Sequence, residues 1–139
     1  MNLNKKILTF AFQSRKFQLQ VNKNIIDGKI KLPVHLAFGH EFVSALVRSF
    51  FLMSKDSLFL THRNIHYTSI FSKNSRKIYQ NFLLNKIQSF NTLGSMNYFD
   101  EKTSIKYTSS ILGNNLSVAA GFAEGNKSSK SIVYCVVGD

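Results

Sequence analysis

Residues 58–60, Leu-Phe-Leu, form a short, fully apolar run, and Thr61-His62-Arg63-Asn64-Ile65-His66-Tyr67 follows it directly. The run reads as a buried strand. In α/β folds, ligands bind just beyond the carboxyl ends of such strands. The polar residues that follow are therefore candidates for chemistry, although Arg63 taken alone reads as a surface arginine. A second candidate lies in residues 109–123, Ser-Ser-Ile-Leu-Gly-Asn-Asn-Leu-Ser-Val-Ala-Ala-Gly-Phe-Ala. Gly113 allows a backbone turn that a Cβ would resist. Asn114 or Asn115 can cap a helix start there. A glycine turn leading into a helix N-terminus can hold an anionic group, and it serves equally as plain capping. Cys135 is the single cysteine, set in the apolar run 132–137. It reads as a small core residue rather than a nucleophile, and it excludes an internal disulfide.

Those residues need elements to position them. From Asn4 to Ile26, apolar residues recur at steps of three and four (Ile7, Phe10, Ala11, Phe17, Val21, Ile25), which predicts a long amphipathic helix. Asp27-Gly28 should end it. Residues 29–36, around the single proline Pro33, read as an extended connector. Gly39-His40-Glu41 opens a second helix, with Phe42, Leu46, Ser49, Phe50 and Met53 as its expected inward stripe. A further helix is expected over 75–86, irregular chain over 87–108, and a helix from Leu116 that buries Leu116, Ala119, Ala120 and Ala123. Residues 132–137 read as a second strand. This order predicts an α/β fold, a small parallel sheet flanked by helices.

Composition narrows the class. The 139 residues suit one domain, 1–139, with residues 1–38 as a helical arm and connector. Hydrophobic residues make up 44%, which is globular rather than disordered. Lys and Arg number 18 against 7 Asp and Glu, a net charge of +11. That charge suggests an anionic partner. The basic residues form no dense block, so nucleic acid is not favoured. No apolar run approaches the ~18 residues that span a bilayer. A reducing, cytoplasmic setting is expected.

Five short motifs stand in a fixed order. Gly28-Lys-Ile-Lys-Leu-Pro-Val-His35 with Gly39-His-Glu41 matches Gly-x-Ile…His-x-x-x-Gly-Gln-Glu. Residues 56–63 match Asp-x-x-x-x-x-(Tyr/His)-Arg. Gly94-Ser-Met96 matches part of Gly-Gly-Ser-Met-His. Ile111-Leu112-Gly113 with the Ala-rich helix matches Ile-Val-Gly…Ala-x-Gly, and Gly138-Asp139 matches the start of Gly-Asp-Gly. In this order, from about Arg15 to the last residue, the chain resembles the alpha subunit of the thiamine-diphosphate-dependent, decarboxylating component of 2-oxo acid dehydrogenases. That family includes the pyruvate, branched-chain and acetoin enzymes.

The resemblance implies the N-terminal part of a thiamine-diphosphate-binding fold, incomplete in this chain. It implies that Arg63 holds the cofactor diphosphate, that His62, in the place of the family's Tyr or His, and Gly138 also bind the cofactor, and that Asp139 ligates Mg²⁺. Ser110 and Leu112 would approach the aminopyrimidine. His35 and His66 would serve on the substrate side. The implied reaction is oxidative decarboxylation of a 2-oxo acid, with acyl transfer to lipoyl-lysine. The implied partners are a beta subunit, in a heterotetramer, and a lipoyl-bearing acyltransferase. Departures from the family pattern are Ile65 where a His is usual, Asn97 for the His after Ser-Met, Leu93 for a Gly, and Gln18 where Glu is frequent. The metal motif stops at Asp139, so a non-catalytic remnant of the subunit is the alternative, and a basic binding module is a third reading.

Overall fold

A computed structural model describes residues 2–72, 75–83 and 104–138. The first helix, α1 (Leu3–Ile26), has no Gly or Pro to interrupt it, and Asn2 caps it by accepting from the Asn4 amide at 3.1 Å. It stops at Gly28, whose φ of 69° continues no right-handed helix. The amides of Lys29 and Ile30 then bond back to the Asn24 carbonyl. The second helix, α2 (Glu41–Phe50), runs antiparallel to α1. Arg15 meets Glu41 at 3.1 Å, and at the other end Lys6 donates to the Ser49 carbonyl at 2.9 Å.

Small side chains let α1 and α2 approach. Ala11 and Ser14 on α1, and Ser44, Ala45 and Ser49 on α2, are all buried. This corrects the expected stripe on α2. Ser49 faces inward, and Met53, past the end of α2, packs against the core. Phe42, Leu46 and Phe50 are 59%, 48% and 59% exposed. Periodicity finds a stripe but does not say which side meets a neighbour. Here Glu41 sets the rotation. Its buried carboxylate accepts from Gln18 Nε2 (2.8 Å), Arg15 Nε (3.1 Å) and the Gly39 amide (2.9 Å), while Gln18 Oε1 accepts from the Ala37 amide at 2.7 Å. Turning the large apolar side chains inward would pull that carboxylate off its donors.

Among the described residues the sheet has three parallel strands in the order β2-β1-β3: β1 (Ser57–Thr61), β2 (Ile105–Ser109) and β3 (Val133–Cys135). Thr61 pairs with Ser109, and Phe59 with Cys135. β1 is buried along its whole length, as its central place requires. Leu58 and Leu60 join the core of Val21, Ile65 and Phe71, while Phe59 faces the other way and meets Phe122 at 5.2 Å. Asp56 ties the strand starts together, accepting from the Leu52 and Ile132 amides at 2.9 and 3.0 Å.

Two elements differ from expectation. β2 lies inside the stretch expected to be irregular, because a strand of Lys, Tyr, Thr and Ser carries little apolar signal. The helix α3 (Ile65–Phe71) begins within the expected loop, and seven residues are too few for a clear period. The helix α4 (Ser75–Leu83) takes the place foreseen for it. The Gly94-Ser95-Met96 motif and Asn97 lie outside the described residues.

The last helix, α5 (Asn114–Gly125), crosses the sheet on the Phe59 side. It buries Asn115 and Ala119 and half-buries Phe122, so Leu116 and Ala120 lie on the exposed face instead. Gly113, at φ 73°, is its N-cap, and no side chain caps it. The asparagines are engaged elsewhere. Asn114 donates to the Tyr107 hydroxyl at 2.7 Å, and Asn115 donates to the Val136 carbonyl.

Removing the Glu41 carboxylate strips several donors of their shared acceptor. We expect Glu41→Ala to lower stability by about 3 kcal/mol, read from the midpoint of urea unfolding.

Candidate functional site

The carboxyl ends of β1 and β3 lie side by side, and the connector between α1 and α2 passes over them. A cavity of about 420 Å³ opens there. The connector residues Leu36 to Phe38 and His40 wall one side. Thr61, Arg63 and the start of α3 wall another, and Val136 to Gly138 the third. Gly138 runs close to β1, where an added Cβ would meet Thr61 Cγ2 at 3.5 Å.

Local bonds set the turn that carries Arg63. Buried Asn64 donates to the Thr61 carbonyl at 2.9 Å, and its own carbonyl accepts from the Tyr67 and Thr68 amides. This turns the chain from strand to helix within three residues. Arg63 is exposed at the cleft rim and donates through Nη1 to the Leu36 carbonyl at 3.1 Å. A guanidinium has five N–H groups, so this brace leaves others for a ligand at the rim.

The chain has four histidines, and all four gather at this edge. His35 and His62 meet edge to face at 4.9 Å between ring centres, and His40 and His66 at 6.1 Å. His66 is buried at the cavity wall. Burial first, and then the neighbouring His40, hold its pKa down to about 4, so the ring is neutral. His35 is also shifted down, by burial and then by His62 and Arg63. The Nδ1 atoms of His62 and His66 are buried and make no hydrogen bond among the described residues. Tyr67 beside them is pushed up to about 12 by burial and stays protonated.

Arg63, His66 and Gly138 thus share one cleft, with His35 and His62 paired at its edge. Ser110 and Leu112 do not line it. They lie in the turn after β2, on the far side of β1, and both are exposed. Asp139 lies outside the described residues. Among the described residues, no group of three or more His, Cys, Asp or Glu is arranged to hold a metal ion, and no helix is long and apolar enough to cross a membrane. Cys135 is half-buried, its thiol raised by burial. Thr61 and Tyr67 belong to the stretch singled out after the first strand, whereas His40 was not foreseen as a site residue. His40 and His66 stand far apart in sequence, so spacing carries no sign that they meet.

No protein-family profile matches the chain, and comparison with curated proteins finds no match.

The neutral His66 makes stability depend on pH. Its folded pKa lies below the ordinary value of 6.5, so the unfolded chain binds the extra proton. Stability is full above about 6.5 and falls as pH drops towards 4, by an amount on the order of 3 kcal/mol. Urea midpoints from pH 7 to 4 should show this loss, and a His66→Asn variant should show a shallower one.

Proposed function

We propose that the chain is the N-terminal part of the alpha subunit of a thiamine-diphosphate-dependent 2-oxo acid dehydrogenase, and that the cleft holds the cofactor's diphosphate. The observation that carries this reading is the place of Arg63. It stands at the mouth of a cavity between the carboxyl ends of adjacent parallel strands, with Gly138 across from it. Such crevices are where α/β sheets bind phosphorylated ligands. The cavity volume is within the usual range for small-molecule sites.

On this reading Arg63 grips diphosphate oxygens while its Nη1 bond to Leu36 keeps the fork aimed. Gly138 leaves room for a close approach beside Thr61. His62 and His35 border the same anion. His66, kept neutral, can pass a proton at a ring nitrogen on the substrate side, in place of the usual histidine that Ile65 replaces. When bound, thiamine diphosphate supplies a nucleophilic carbon that adds to the oxo carbon and accepts the electrons released with CO₂. Asp139, by resemblance, would contribute to a Mg²⁺ site. A beta subunit would complete the pocket, and a lipoyl-bearing acyltransferase would receive the acyl group. The setting proposed is the cytoplasm.

Calorimetric titration with thiamine diphosphate and Mg²⁺, with and without a 2-oxo acid dehydrogenase beta subunit, tests the reading. Binding is expected, weakened about tenfold or more by Arg63→Ala and not restored by Arg63→Lys, because an ammonium cannot make the two-pronged contact. Absence of heat in both arrangements would remove the cofactor assignment.

A further inference from the structure

One face of α1 is apolar and open to solvent. Phe12, Leu19 and Ile26 recur at steps of seven and are 72%, 53% and 76% exposed. Leu8, one turn before Phe12, is also exposed. This is the spacing of a helix–helix seam. Arg15 falls on the same line but is drawn to the side, where it reaches Glu41 and lies over the Phe38 ring. α2 runs along that side and exposes Phe42, Leu46 and Phe50. Two antiparallel helices with apolar outer flanks form a groove in which a third helix can lie.

The opposite flank of the α1 seam carries Lys5, Lys16 and Lys23, all exposed. No acid occurs before Asp27. We propose that the outer α1–α2 groove docks an amphipathic helix of another protein, one that lays an apolar face on Leu8, Phe12 and Leu19 and runs a row of acids along these three lysines. Charge selects this occupant. A second copy of the chain would bring its own Lys5, Lys16 and Lys23 to the seam with no acid to answer them, and a net charge of +11 adds repulsion. Spacing argues for a helix as the occupant: Phe12, Leu19 and Ile26 recur at steps of seven, the repeat of a helix–helix seam, with the lysine row along one flank. From Leu8 to Ile26 the seam rises about 27 Å, room for roughly five turns of a partner.

The test uses the full chain and synthetic peptides of about three heptads, read by fluorescence anisotropy. The first has Leu and Ile at the seam positions and Glu beside them. The second replaces each Glu with Lys. The third has the composition of the first in scrambled order. The first should bind, and the other two should not. Phe12→Ser combined with Leu19→Ser should weaken binding by about tenfold or more. Both side chains are more than half exposed, so circular dichroism should report an unchanged fold. Lys16→Glu combined with Lys23→Glu should transfer the preference to the Lys peptide. The proposal fails if no peptide binds, if the scrambled peptide binds as well as the first, or if the serine variant binds normally. It fails also if gel filtration shows a dimer that the serine variant dissolves, or if phosphatidylserine vesicles displace the first peptide.

Discussion

The buried carboxylate of Glu41 holds the first two helices and the connector between them in register. Glu41 can only accept, and out of water it needs donors. Gln18 and Arg15 come from α1, and the Gly39 amide comes from the connector. Each donor belongs to a segment that must arrive at the same point. The carboxylate therefore sets the rotation of α2, the depth at which α1 sits, and the path of the chain between them. Small side chains along the α1–α2 contact follow from that rotation, and so does the exposure of the bulky ones.

The connector is what turns this constraint into a site. Two consecutive residues anchor it from opposite sides. The Ala37 amide donates to Gln18 on α1, and the Leu36 carbonyl accepts from Arg63 just past β1. Strung between them, the chain roofs the ends of β1 and β3 and brings His35 and His40 to His62 and His66. A cluster of imidazoles beside an arginine is repulsive if the rings are charged. Burial keeps His66 neutral, and His35 is shifted the same way. The cleft thus sets imidazole nitrogens beside the Arg63 guanidinium at the carboxyl ends of the strands.

Much of this could be read from residue order, because its cause is local. The length of α1 follows from uninterrupted spacing and the Gly28 stop. The burial of β1 follows from three apolar residues in a row, and the candidate loop after it from chain direction. What could not be read has a cause elsewhere. β2 shows no period of its own, since Lys106 and Tyr107 are only half covered and the strand is held by pairing with β1. On α5, Leu116 and Ala120 look buried by spacing. Asn115 takes the inward place because the Val136 carbonyl needs a donor. Gln18 and Glu41 look like ordinary polar residues of two helices until their burial is known.

By itself, then, the amino-acid order determined the α/β class, the parallel sheet, the first and second helices with the connector between them, and the position of Arg63 after the first strand. These depend on backbone preference and on periods of two and 3.6, which neighbouring residues carry. The tertiary structure decided which helix faces were covered, that Ser110 and Leu112 lie outside the cleft, and that His40 joins His66. These depend on donors finding acceptors across tens of residues, and no local period records such a match.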